Sequence, residues 1–395
     1  MEENKTHNLL NGFLDNIARC LLMNSSFSKD IGLYYGKAGA LIFLYNYDLY
    51  KNEDRIFNYA NELTVEVTQQ LDKNVLNLYS SGVSGIAASF NHLVDCDFIE
   101  NVGSFKEVDQ NILSITKPFE YDVEAYGSLL ILAASIARNP LNFSSPDEEL
   151  SYLIIKKRVV DESDLICERV IQLKKILMNS GTTLGSDFDE SLIRYHIASS
   201  EQYFQAIKIL RKLDKLGVLP GESRKILAEA IDFVPSFVKH FFTLSFDQMV
   251  IPRNREIIFN ISIAIYHFSL SVEDHKSPSF VETTNNFKNF IKSMGFADES
   301  GSGNLPINFA DYIYRASMMQ KLQVIVKDQF LIEFFRKKTE GIYGRLIDPE
   351  TSKSLFSRKH KNLNIGITGL SGLGLMILSG FSANTSPWQE LLFID

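Results

Sequence analysis

The sequence predicts an all-helical chain in which buried helices form an inner ring and amphipathic helices an outer one. Three observations predict it. Turns of the form G-x-x-G stand directly before apolar runs in "GLYYGKAGALIFLYNY" (Gly32–Tyr47), "LYSSGVSGIAASFNHL" (Leu78–Leu93) and "NIGITGLSGLGLMILSG" (Asn364–Gly380). Other stretches carry apolar residues at mixed steps of three and four, the spacing of one helix face. Strand-like runs lack the Asn-Gly type of signal that marks a hairpin.

Taken in order, Phe57–Val75, Tyr203–Leu219, Arg224–Phe242 and Tyr314–Lys338 read as amphipathic helices, each with a polar face. Between them lie segments apolar nearly all round. These are "ALIFLYNY" (Ala40–Tyr47), "SLLILAASIA" (Ser128–Ala137), "IIFNISIAIYHF" (Ile257–Phe268) and "LGLMILSG" (Leu373–Gly380). A helix apolar on every side is buried on every side. With Gly36, Gly82, Tyr126, Ile197, Asn260, Ala310 and Gly369 as equivalent turn positions, the chain repeats at intervals of roughly 45–70 residues, the size of a helical hairpin with its loops. Such a repeat gathers the turns on one face. Helix N-termini there would offer partial positive charge and free backbone N–H groups. Glycine there would permit left-handed torsions and close approach.

Composition narrows the function classes. The chain of 395 residues is 45% hydrophobic and 22% charged, the balance of a globular protein. Its net charge of -8 argues against a nucleic-acid partner, which needs a basic face. Cys20, Cys96 and Cys167 are widely spaced, which is neither a disulfide framework nor a thiolate metal motif. No apolar run reaches the ~20 residues needed to span a bilayer. The polar start "MEENKTHNLL" lacks a signal-peptide pattern, so the expected compartment is the cytoplasm.

The three glycine turns resemble those of the lanthionine synthetase C-like (LanC-like) family. That resemblance covers nearly the whole chain, about Gly32 to Ser379, and is carried mainly by the two ends. It implies a single domain over residues 1–395, an α/α toroid of about seven inner and seven outer helices with the glycine turns on one face. It also implies a part in lanthipeptide-type maturation, where cyclases join peptide cysteines to dehydrated residues as thioethers. The implied partners are a peptide and other enzymes acting on it.

The family's functional residues carry over position by position. "EYDVEAYGSLLILA" places Asp122 at a catalytic aspartate, with Tyr126 and Leu129 where glycines are expected. "IRYHIASSEQYF" places His196 at a catalytic histidine, followed by Ile197 in place of glycine. "PRNREIIFN" offers Arg253 or Arg255 for an arginine before the fifth turn. The family's zinc would be held by a cysteine and a Cys-His pair. Those positions fall on Ile258, Asn308 and Phe309. Isoleucine and phenylalanine have no donor atom, and an amide oxygen is a poor substitute for thiolate or imidazole. Zinc is therefore expected for the family but not for this chain.

Each candidate also has a plain structural reading. Asp122 suits a helix N-cap. His196 suits a packed or surface histidine, and Arg253 and Arg255 a solvated loop pair. The basic run "SRKHKN" (Ser357–Asn362) suits ordinary surface or a contact with an acidic peptide segment. Three functions remain in view. One is a peptide-binding LanC-like protein without catalysis, and another a zinc-independent enzyme that uses Asp122 and His196. The third is a toroidal glycoside hydrolase pairing Asp122 with a carboxylate of "SDFDE" (Ser186–Glu190).

Overall fold

The computed structural model describes residues 2–71, 78–100, 122–138, 145–180, 190–243, 255–272, 278–296, 309–348, 351, 356, 364–381 and 387–392. Every regular element among them is helical. In chain order these are α1 (Glu2–Asn24), α2 (Lys37–Lys51), α3 (Asp54–Gln69), α4 (Val83–Asp95), α5 (Val123–Arg138), α6 (Pro146–Ser180) and α7 (Glu190–Lys215). They continue as α8 (Gly221–Thr243), α9 (Arg255–Val272), α10 (Pro278–Ser293), α11 (Phe309–Ile325), α12 (Gln329–Leu346) and α13 (Leu370–Phe381). Short 3-10 turns occupy Ser25–Phe27 and Trp388–Leu392. The helices group into two compact units: Met1–Leu132 with Gly303–Gln320 and Lys337–Ile394, and Ala133–Ser302 with Lys321–Arg336.

In the first unit the three glycine-led helices are the core. Residues Lys37–Tyr47 of α2, Val83–Phe90 of α4 and Leu370–Leu378 of α13 are all buried, whichever way they point. This matches the expectation that all-round apolar helices sit inside. α2 packs against α3, α4 and α13, and α1 covers α13. α3 buries only Ile56, Ala60, Leu63 and Val67, one stripe at helical spacing, and is amphipathic as read. Trp388 is fully buried, and its indole N–H donates to Ser379 Oγ at 3.0 Å, holding the last 3-10 turn to α13.

The second unit is built from α6 to α10. α6 packs on α7 and α8, α9 on α7, α8 and α10, and α10 on α8. Aromatic rings fill it: Tyr266 stacks on Phe287 with centroids 4.0 Å apart, and the Tyr266 hydroxyl donates to Thr284 Oγ1 at 3.2 Å. The 35-residue α6 was not anticipated from the sequence. Its start is nonetheless conventional. Ser145 Oγ accepts the Glu148 N–H at 3.3 Å, Pro146 opens the helix, and Asp147, Glu148 and Glu149 fill its first turn.

Two readings of the sequence need correction. Tyr314–Lys338 is not one helix. It is parts of α11 and α12 with a break at Val326–Asp328, where Asp328 Oδ1 caps α12 by accepting the Leu331 N–H at 3.1 Å. The middle turn positions are also displaced. Tyr126, Ile197, Asn260 and Ala310 lie inside α5, α7, α9 and α11, whereas Gly36, Gly82 and Gly369 directly precede their helices.

Two buried histidines make stability pH-dependent. Burial lowers the His92 imidazole on α4 to about 4. His267 on α9 is fully buried, and burial with the Lys208 and Lys321 charges holds it far below its ordinary value. In the unfolded chain both titrate near 6.5. Between the two pKa values the unfolded state binds more protons, so stability present above pH ~6.5 is lost as pH falls. For His92 the loss is on the order of 3 kcal/mol by pH 4. Urea midpoints are expected to drop from pH 7.5 to pH 5, and His92→Gln to flatten part of that slope. A pH-independent midpoint would contradict the assignment.

Candidate functional site

The site follows from how the glycine turns meet one another in the first unit. The first turn lies between the other two. Tyr34 N–H donates to Ser80 O at 2.7 Å, joining it to the second turn. Ile367 N–H donates to Leu33 O at 3.1 Å and Thr368 N–H to Tyr34 O at 3.2 Å, joining it to the last. Thr368 Oγ1 adds a bond to the same Tyr34 oxygen at 2.6 Å. Turns from opposite ends of the sequence thus form one hydrogen-bonded layer over the starts of α2, α4 and α13.

The glycines serve close approach. Gly36 and Gly82 have φ of -123° and -125°, extended backbone open to any residue, so left-handed torsion is not what the turns require. The second glycine of each motif is the more telling. A Cβ on Gly39, Gly85 or Gly372 would run into the carbonyl oxygen of Leu33, Tyr79 or Ile367, where the incoming turn crosses the first turn of its helix. The same collision in three places shows that the three motifs share one local structure.

This crossing also takes up part of the free N–H groups expected of the face. Asp30 O accepts the Lys37 N–H at 3.0 Å and Ile31 O the Ala38 N–H at 3.2 Å. Leu78 O accepts from Gly85 at 3.4 Å and Asn364 O from Leu370 at 3.0 Å. Each turn caps its own helix with its own carbonyls, so these N–H groups are not an open anion site.

The described side chains at this face include carboxylates and tyrosines, beside Thr368 and Asn364 of the last turn. Asp122 is exposed, and its Oδ1 accepts the Ala125 N–H at 2.9 Å, so it is the N-cap of α5. Glu124, which the sequence reading passed over, binds across to the second turn. Its Oε2 accepts the Ser80 N–H at 3.0 Å and the Tyr79 N–H at short range. Tyr34 packs edge-on against Tyr79 with centroids 5.9 Å apart. Burial, with the Glu124 carboxylate and then Tyr35 and Tyr314 adding to it, pushes the Tyr34 phenol well above its ordinary value, so it is neutral and a hydrogen-bond donor. Lys37, inside the G-K-A-G turn, is turned away from the face. It is 1% exposed and pairs with Glu66 of α3 at 2.5 Å.

The other candidates are placed less fully. His196 lies within α7, in the second unit, and its side chain is outside the described residues. Arg255 opens α9 and Phe309 opens α11, with side chains likewise outside them. Arg253, Asn308, the Ser186–Asp189 segment and the whole of the Ser357–Asn362 run lie outside the described residues altogether. Ile258 is buried in α9, where its carbonyl accepts Ser262 Oγ at 2.6 Å and its hydrocarbon side chain has nothing to offer a metal. Among the described residues no group of three or more His, Cys, Asp or Glu side chains is arranged to hold a metal ion. Burial raises the thiols of Cys20, Cys96 and Cys167, which keeps them from the thiolate form that binds zinc. Among the described residues no helix is long and apolar enough to cross a membrane.

No protein-family model matches the chain. Among curated proteins none matches it either.

Proposed function

We propose that this chain is a LanC-like helical-ring protein of modified-peptide maturation, which binds a peptide at its glycine-turn face without zinc-dependent cyclisation. The observation that carries the reading is the interlocked set of three G-x-x-G turns, in each of which a Cβ on the second glycine would meet a carbonyl of the incoming chain. Ile258, a buried hydrocarbon at a position where the family would hold zinc through cysteine, supports the non-cyclase form. Without a metal to stabilise thiolate, a cysteine with pKa near 8.5 is only a few per cent ionised at neutral pH.

A zinc-independent enzyme is the second reading. What favours it is that Asp122 uses one carboxylate oxygen for its cap while remaining exposed. One experiment separates the two. The protein, expressed with added zinc, is analysed for metal and incubated with a cysteine peptide containing dehydroalanine. Binding is followed by fluorescence anisotropy and ring closure by loss of alkylatable thiol. The expected result is saturable binding, intact thiol and no stoichiometric zinc. Thiol loss without zinc, abolished by Asp122→Asn, which retains the cap, would favour the second reading. Stoichiometric zinc with thiol loss would restore the cyclase, and absence of peptide binding would reject the peptide reading itself.

A further inference from the structure

The start of α6 differs from the rest of that helix. From Ile155 onward α6 buries a stripe at helical spacing, Ile155, Val159, Ile166, Val170, Leu173 and Leu177, and packs on α7 and α8. Residues 146–154, its first turns, include none that is buried. Leu150, Leu153 and Ile154 lie there with 58, 52 and 50% of their surface exposed. Single apolar residues on a surface need no account, but three within five residues, on turns that bury nothing, mark an interaction patch.

The charges around the patch select its partner. Positions 147, 150, 154 and 157 follow the 3-4-3 step of a helix-pairing seam and read Asp-Leu-Ile-Lys. In a two-fold pair, position i meets j wherever j meets i, so in antiparallel helices the facing positions share a midpoint. Asp147 with Lys157 and Leu150 with Ile154 both centre on residue 152. Glu149 and Lys156, on the flank with Leu153, centre almost there. A parallel pair would set Asp147 against Asp147 and Lys157 against Lys157, which repel. Among the described residues none of Asp147, Glu149, Lys156 and Lys157 is ion-paired, and the contact of Lys156 is with the Tyr152 ring of its own helix, 6.0 Å away.

We propose that a second copy of this chain docks antiparallel on the start of α6. Leu150 then meets the partner's Ile154, and Asp147 meets the partner's Lys157. The apolar seam supplies the attraction, and the charges at its ends set orientation and register. Two to three turns from each copy bury little area, so the dimer is weak and concentration-dependent. Nothing in this pairing depends on what the glycine-turn face binds.

The test is sedimentation equilibrium of the full chain over roughly 1–100 μM, the range in which a small interface associates. The mean mass is expected to climb above the 44.8 kDa of one chain. Leu150→Glu with Ile154→Glu is expected to stay monomeric throughout, with a circular-dichroism melt near that of the parent because both side chains are exposed. Asp147→Lys and Lys157→Asp are each expected to weaken association several-fold alone. Mixed in equal amounts, these two variants should associate again, since each then faces its opposite charge at both ends of the seam. A parent that is monomeric at every concentration would overturn the proposal. So would a dimer indifferent to the Glu substitutions, or two charge variants that do not recover on mixing. A lowered melt of the Glu variant with a monomeric parent would place the patch under another part of the same chain.

Discussion

Gly39→Ala is expected to destabilise the first unit by about 3 kcal/mol or more, although it adds one methyl group and alanine is the better helix former. The added Cβ would run into Leu33 O and stand 2.5 Å from Ile367 N and 2.8 Å from Gly366 Cα. All three neighbours are backbone, so no side chain can swing aside. Relief requires moving the first turn away from the last, which breaks the Ile367–Leu33 and Thr368–Tyr34 hydrogen bonds. Gly341 on α12 is the control. Nothing lies within 4 Å of a Cβ there, so Gly341→Ala should stabilise by about 0.5–1 kcal/mol through helix propensity. Urea unfolding of the two variants should therefore move in opposite directions. A Gly39→Ala protein as stable as the parent would mean that the turns do not meet as described.

The helices of the first unit were legible because two independent signals coincide in them. A glycine turn announces where α2, α4 and α13 begin, and unbroken apolar sequence announces that they are buried. Where one signal is missing, legibility fails. α6 shows apolar residues on its solvent side as well, among them Leu150, Leu153, Ile154, Leu165, Ile171 and Met178, and these blur the helical period. Its start, S-P-D-E-E, was the usable clue. The break between α11 and α12 has a different cause. Asp328 both caps α12 and pairs with Lys288 of α10 at 2.7 Å, a tertiary contact forty residues away in sequence that no local pattern contains.

The candidate site was legible in part. Asp122 stands out because it precedes an apolar run, and its cap is the bland role that position predicts. Glu124 and Lys37 do not stand out. One is a surface-looking carboxylate in the first turn of a helix and the other a lysine in a glycine turn, and their partners, Tyr79–Ser80 and Glu66, come from elements 29 to 45 residues away. The expected supply of free N–H groups is reduced for a backbone reason, turn carbonyls taking those of Lys37, Ala38, Gly85 and Leu370. Whether a helix start is open depends on where the preceding carbonyls point, and residue identity carries little of that information.

Glu124 carries the second large effect. Its Oε2 holds two backbone N–H groups of the second turn, and hydrogen bonds to an ionised acceptor contribute about 1.5–3 kcal/mol each. Glu124→Ala leaves the Tyr79 and Ser80 N–H groups without that acceptor and is expected to cost about 2–4 kcal/mol. Glu124→Gln keeps an oxygen in place and loses only the charge, so roughly half that loss is expected. The consequence should spread beyond the two amides. Ser80 O is the acceptor for Tyr34 N–H, and Tyr34 O is the acceptor for Thr368, so a loosened second turn frees the first, and the first frees the last. Hydrogen exchange reads this order directly. In Glu124→Ala the amides of Tyr79, Ser80, Tyr34 and Thr368 should all exchange faster than in the parent, while those in the middle of α3 should change only by the overall loss of stability. Faster exchange confined to Tyr79 and Ser80 would show three separate turns, each held by its own helix. Faster exchange at all four would show that the layer is one cooperative element and that a single carboxylate outside the glycine motifs holds it together.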